Sequence, residues 1–158
     1  ALEYELTVNP VFPMPGLKTL LSACHNHGLP MGIISNAQFY TSSLLAWFLG
    51  SSLEKSGFDH RLNLLSFRFG YAKPSTFMFK RAADALTGIG IPVASALYVG
   101  NDMLNDIRPA SVVGFKTALF AGDGRSLRLR ESDDRCRELI PDLIVTDLRQ
   151  LIAGTVNP

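Results

Sequence analysis

Short apolar runs alternate along the chain with segments of helical period. Met31 to Ser35 is apolar, short and bounded by turn residues, which predicts a buried strand. Leu62 to Phe69, Ala96 to Val99, Lys116 to Phe120 and Asp142 to Val145 repeat that pattern. Helices are predicted between them, over about 16–27, 38–49, 75–86, 103–113 and 147–152. Leu17, Leu20, Leu21 and Cys24 share one face of the first, with Pro15 suited to its start and Gly28 to its end. Asn9 to Gly16 carries Pro10, Pro13 and Pro15 and reads as an extended connector. Residues 1–8 fit a helix end or an alternating strand equally well. Trp47, Phe48, Phe77 and Phe79 read as core residues. Strands alternating with helices of this length predict an α/β fold, a three-layer Rossmann-like parallel sheet with right-handed crossovers.

Composition narrows the function without naming it. The chain has 158 residues, 47% of them hydrophobic, which fits one packed core. Lys and Arg number 15 and Asp and Glu 14, so no strong basic excess marks a nucleic-acid partner. Arg125, Arg128, Arg130, Arg135 and Arg137 interleave with Glu131, Asp133, Asp134 and Glu138, so no basic stripe forms. The stretch from Gly122 to Arg137 is the most polar and reads as an exposed loop and helix. No apolar run approaches the roughly 18 residues of a membrane span. The opening Ala-Leu-Glu-Tyr-Glu has no signal-peptide pattern and no initiator Met. Cys24 and Cys136 are too few for a disulfide scaffold, which points to a reduced, cytoplasmic protein. His25 and His27 lie near a helix C-terminus, where imidazoles are favourable without any metal.

In parallel sheets, ligands bind beyond the carboxyl ends of the strands. Three such ends carry chemistry here. The first is GIISNAQ, where Ser35 ends a strand and Asn36 follows. A hydroxyl and free backbone N–H groups can donate there to an anion, or the pair can simply cap the next helix. The second is GYAKPS, which fixes Lys73 in a turn, aimed at a phosphate or merely solvated. The third is VGNDMLND, which presents Asn101, Asp102 and Asp106. Asp102 and Asp106 are four apart and share a helix face if the helix starts by Asp102. These are hard oxygen ligands suited to Mg²⁺, or acids that cap a helix N-terminus.

Taken in order, the hydroxyl, the lysine and the acidic cluster resemble the haloacid dehalogenase (HAD) superfamily of magnesium-dependent phosphohydrolases. The resemblance runs from about Pro10 to Leu151 and includes Ile107, Ala110 and Gly114 and the final PDLIVTDLRQL. It implies that Ser35, with Asn36 beside it, binds phosphoryl oxygens and that Lys73 neutralises charge on phosphate and nucleophile. It also implies that Asn101, Asp102 and Asp106 hold Mg²⁺. The substrate would be a small phosphorylated molecule. One departure sits in the acidic motif: Asn101 stands where the family places Asp, and Asp102 follows it.

The family's nucleophile belongs to a DxD pair on a first, central strand, between the strands of Ser35 and Tyr98. No two Asp residues here are separated by one position, and no Asp precedes Asp59. The family's cap domain is commonly inserted between that pair and the Ser motif. Residues 1–16 therefore resemble the end of a cap helix and its connector, and 17–158 an incomplete core. The expectation is a chain that lacks its first strand and cap, has no turnover alone, and carries unfilled sheet edges that leave self-association open. The runner-up is a non-catalytic phosphate-binding or protein-interaction module on the same scaffold.

Overall fold

The computed structural model describes residues 12–155. Helix α1 (Leu17–Asn26) follows Gly16, which takes a left-handed φ of 81° before the first turn. It leads into β1 (Met31–Ser35), α2 (Thr41–Leu49) and β2 (Phe58–Leu65). The short helix α3 (Ser66–Phe69) and the longer α4 (Phe77–Gly88) come next. A 3₁₀ turn precedes β3 (Leu97–Gly100), and a wide π-type turn at Met103–Ile107 precedes α5 (Arg108–Val113). The described chain closes with β4 (Lys116–Phe120), β5 (Leu143–Val145) and α6 (Gln150–Thr155). Residues 1–8 lie outside the described residues.

All the strand pairs are parallel, as the alternation predicts, and they form two sheets. One is β1–β2, with Ser35 opposite Leu65. The other is β3–β4–β5, with Gly100 opposite Leu119 and Phe120 opposite Val145. Among the described residues no backbone ladder joins β1 to β3. The break falls between the strands of Ser35 and Tyr98, where the resemblance places a further strand.

Strand β4 shows why helices cover both faces. Ala118 and Phe120 point into one cluster with Val145, Leu148 and Leu151, against Leu17 and Leu20 of α1. Leu119, between them, points the other way to Met103, Ile107 and Cys136. That alternation is the period-two geometry of a strand. The largest cluster joins Leu62 and Leu64 of β2 to Met78, Phe79, Ala82 and Leu86 of α4, with Ala110 and Phe115.

Several boundaries differ from the sequence reading. The run Leu62 to Phe69 is not one strand: the ladder ends at Leu65, and Ser66–Phe69 turns into a helix. There the Ser66 hydroxyl accepts from the Ala37 N–H and donates to the Ala37 carbonyl. Helix 103–113 divides into the wide turn and α5, with Pro109 early in α5. The stretch from Gly122 to Arg137 holds no helix and is a run of turns. Trp47 is 65% exposed and is not core, because α2 buries none of its residues.

An acid-sensitive tie joins β4 to β5. The Asp142 carboxylate accepts from Lys116 Nζ, the Thr117 N–H and the Thr117 hydroxyl at 2.9–3.0 Å. The Lys116 ammonium first, then Thr117, lower its pKa from the ordinary 3.8 to about 2. A carboxyl depressed on folding adds stability above its unfolded value and loses it as pH falls through the folded one. Stability should therefore decline between pH 4 and about 2, with Asp59, Asp133 and Asp147 contributing in the same window. Acid unfolding of Asp142→Asn, compared with the parent chain, should show a shallower decline.

Candidate phosphoryl-binding site

Strand ends and two loops bring the candidate residues together. Ser35 is the last residue of β1, and its hydroxyl has no hydrogen-bond partner among the described residues. Asn36 does not use its side chain to cap α2. Its Oδ1 accepts from the Lys73 N–H at 2.7 Å, and its Nδ2 donates to the Lys73 carbonyl at 3.1 Å. This two-way stitch fixes the lysine loop to the end of β1. The Lys73–Pro74 peptide in that loop is cis.

The Lys73 ammonium is held from three sides. It donates to Asp106 Oδ1 at 2.5 Å, to Tyr98 Oη at 3.2 Å and to the Ile34 carbonyl at 3.3 Å. Its side chain is 12% exposed and that of Asp106 6%. Three acceptors suit the three protons of an ammonium, and the contact with the Ile34 carbonyl places it at the carboxyl end of β1. Sequence reasoning missed Tyr98. Its phenol lies within hydrogen-bond distance of the Ile34 carbonyl (3.2 Å) and Asp106 Oδ1 (3.0 Å), so it spans the break between the sheets. Burial, then the Asp106 charge, push the phenol well above its ordinary pKa.

Asp106 is the hub. Oδ1 serves Lys73 and Tyr98, and Oδ2 accepts from the backbone N–H groups of Asn101 and Asp102, each at 3.1 Å. Gly100 makes room for it. A Cβ on Gly100 would lie 2.6 Å from Asp106 Cγ and 2.7 Å from Oδ2. Gly100→Ala should therefore cost about 1–3 kcal/mol by overpacking. A lowered urea midpoint at unchanged slope would show it.

Asp102 faces elsewhere. Oδ1 accepts from the N–H groups of Leu104 and Asn105 and caps the wide turn. Oδ2 accepts from Asn105 Nδ2. Arg130 grips both oxygens, Nε at 3.1 Å and Nη2 at 2.6 Å. Burial by itself would raise the Asp102 pKa; Arg130 and the two amides outweigh it and hold the carboxyl below its usual range. Asn101 Nδ2 donates to the Ser126 carbonyl at 2.6 Å.

Magnesium takes near-octahedral oxygen ligands at close range. The trio expected to hold it does not fit as three side-chain ligands. Both oxygens of Asp102 and of Asp106 are already claimed by protein donors, and only Asn101 Oδ1 carries none. Among the described residues no group of three or more His, Cys, Asp or Glu side chains is placed to hold a metal ion.

Comparison with known proteins places the chain. Residues 70–151 match the family described as "HAD-hyrolase-like", a span that holds Lys73, Asp106 and Arg130. Haloacid dehalogenase-like hydrolase domain-containing protein 3 of Xenopus laevis is 34% identical over 107 residues, 68% of this chain and 40% of that protein. A HAD phosphatase from Thermococcus onnurineus superposes with a TM-score of 0.72 at 19% identity, over 99% of this chain and 65% of that one. YfnB of Bacillus subtilis, in a magnesium-bound structure, gives 0.68 at 18% identity, over 91% and 56%. L-2-haloacid dehalogenase of Xanthobacter autotrophicus, with chloropropionic acid covalently bound, gives 0.69 at 20%, over 97% and 64%. The chain spans less than two thirds of each of these relatives. The parallel α/β fold, the order of the strand-end motifs and the matched span agree: this chain belongs to the HAD-like hydrolases.

Proposed function

We propose that this chain carries the phosphoryl-binding side of a HAD-type phosphatase that acts on a small phosphorylated substrate. The observation that supports it is the Lys73 ammonium, fixed by Asp106, Tyr98 and the Ile34 carbonyl at the end of β1, where the Ser35 hydroxyl has no partner among the described residues. Phosphoryl transfer is catalysed mainly by positioning and by charge stabilisation. Lys73 supplies a positioned positive charge, and Ser35 with the Asn36 N–H supplies donors. The attacking carboxylate of an aspartyl-phosphate mechanism is not in this chain, which has no DxD pair. Magnesium is kept as the cofactor of the whole enzyme. Asn101 Oδ1 is the one donor of the trio left for it, so any metal carboxylates come from elsewhere. The free thiols of Cys24 and Cys136 fit a cytoplasmic setting, and no helix among the described residues is long and apolar enough to cross a membrane.

Titration with inorganic phosphate, followed by amide NMR, tests the reading. The Ser35 and Asn36 amides and the Lys73 loop should shift together, and Ser35→Ala should weaken binding. Absence of shifts there would overturn it. The 158-residue chain should not hydrolyse an aryl phosphate with Mg²⁺ present, and turnover would place the nucleophile inside this chain.

A second reading is a non-catalytic phosphate-binding module, which needs only the positioned Lys73 charge and no nucleophile. The DNA upstream of the Ala1 codon separates the two. A DxD motif roughly 100 residues earlier, a domain's length, supports the enzyme. A start codon adjacent to Ala1 supports the module.

A further inference from the structure

We propose that Arg130 is the resident cation of the acidic turn, locking Asp102 into a positioning role and closing it to divalent metals. The inference is independent of the phosphatase reading and rests on the charge and oxygen balance of the turn.

Two carboxylates, Asp102 and Asp106, lie in the turn, and two cations meet them. Lys73 pairs with Asp106 at 2.5 Å and Arg130 with Asp102 at 2.6 Å. The formal charge of this group is zero, so little field draws a dication to it. The oxygens are also used up. A carboxylate offers about four lone-pair sites. Asp106 fills its sites with Lys73, Tyr98 and two amides. Asp102 receives Leu104, Asn105 twice and the two-pronged Arg130 fork. A planar guanidinium matches a carboxylate's two oxygens better than an ammonium can.

The segment that delivers Arg130 is built for this contact. Arg130 has a φ of 59°, the one left-handed non-glycine among the described residues. Such a conformation costs on the order of 1–3 kcal/mol and persists where surroundings fix it. Here the surroundings are a short backbone clamp. Arg128 N–H donates to the Asn101 carbonyl and the Met103 N–H to the Arg128 carbonyl, both at 2.9 Å. Ser126 holds the Asn101 amide in the same run. Arg130 therefore acts at a distance. It fixes Asp102, whose N–H with that of Asn101 fixes Asp106, which fixes Lys73.

Manganese, used as a paramagnetic substitute for magnesium, tests this on the full chain. In the wild type, Mn²⁺ should leave the Arg130 Nε–H and the Leu104 and Asn105 amide resonances sharp. Broadening of these signals, with loss of Mn²⁺ binding in Asp102→Asn, would overturn the proposal. Arg130→Met releases a carboxylate, and Mn²⁺ affinity read by electron paramagnetic resonance should rise about tenfold or more, since added ligand charge tightens such sites by decades. Asp102→Asn in the Arg130→Met background should cancel that rise. Arg130→Lys should keep the low wild-type affinity. Tightening in Arg130→Lys equal to that in Arg130→Met would also overturn it. Should Arg130→Met fail to fold, the wild-type resonances decide the matter.

Discussion

Lys73→Met is expected to destabilise the chain by about 3–5 kcal/mol, because it strands a buried carboxylate. Asp106 lies 6% exposed in its side chain, and the ammonium at 2.5 Å is its only positive partner among the described residues. After the substitution its remaining donors are the Tyr98 phenol and two amides. Those are neutral dipoles and cannot replace a full charge at a buried carboxylate. For a chain of this size the melting temperature should fall by about 10 °C or more. Lys73→Met with Asp106→Asn removes both charges, and most of the loss should return. A double-mutant cycle by urea unfolding measures the coupling between them. A loss under about 1 kcal/mol would show that the pair behaves as an exposed one. Lost phosphate binding should accompany the single variant in either case, since the ammonium is gone.

Phe79→Ala is expected to cost a similar 3–5 kcal/mol, but through packing rather than charge. Phe79 has no exposed surface. Its ring meets Tyr98 edge-on with centroids 4.9 Å apart and lies 6.3 Å from the Phe115 ring. Truncation leaves a void directly against the phenol that supports Lys73. The effect should therefore reach the site: the phosphate-induced shifts at Ser35 should shrink as well as the urea midpoint. Trp47→Ala makes the control. Trp47 is 65% exposed, so its loss should change stability by no more than about 0.5 kcal/mol.

Ser35, Lys73 and Asp106 could be singled out as candidates because each lies at or soon after the end of a short apolar run. That junction puts a side chain at the ligand end of a parallel sheet whatever the tertiary detail. The order of strands and helices was legible for the same reason. Tyr98 was not, because a tyrosine inside an apolar run reads as an ordinary strand former. Its role depends on a carbonyl 64 residues away. Arg130 was hidden by its own neighbourhood. Five arginines interleaved with acids resemble a solvated surface, and nothing local marks the one that pairs with Asp102 across 28 residues. The metal role expected of Asp102 did not anticipate that partner. The strand expected through Phe69 failed because an apolar run does not report its period. Only the Ser66 hydroxyl, engaged with Ala37, shows where the backbone turns.

The acidic turn also has a history written into the order of the chain. Synthesis proceeds from the N-terminus, so Lys73 leaves the ribosome before Asp102 and Asp106, and Arg130 follows them. For an interval the nascent chain presents two carboxylates and one ammonium. In that interval Asp102 has not yet met the Arg130 guanidinium. Arg130, the last of the four charged residues to be made, reaches Asp102 only in the finished fold, so the partners of that carboxylate change between the emerging chain and the mature one.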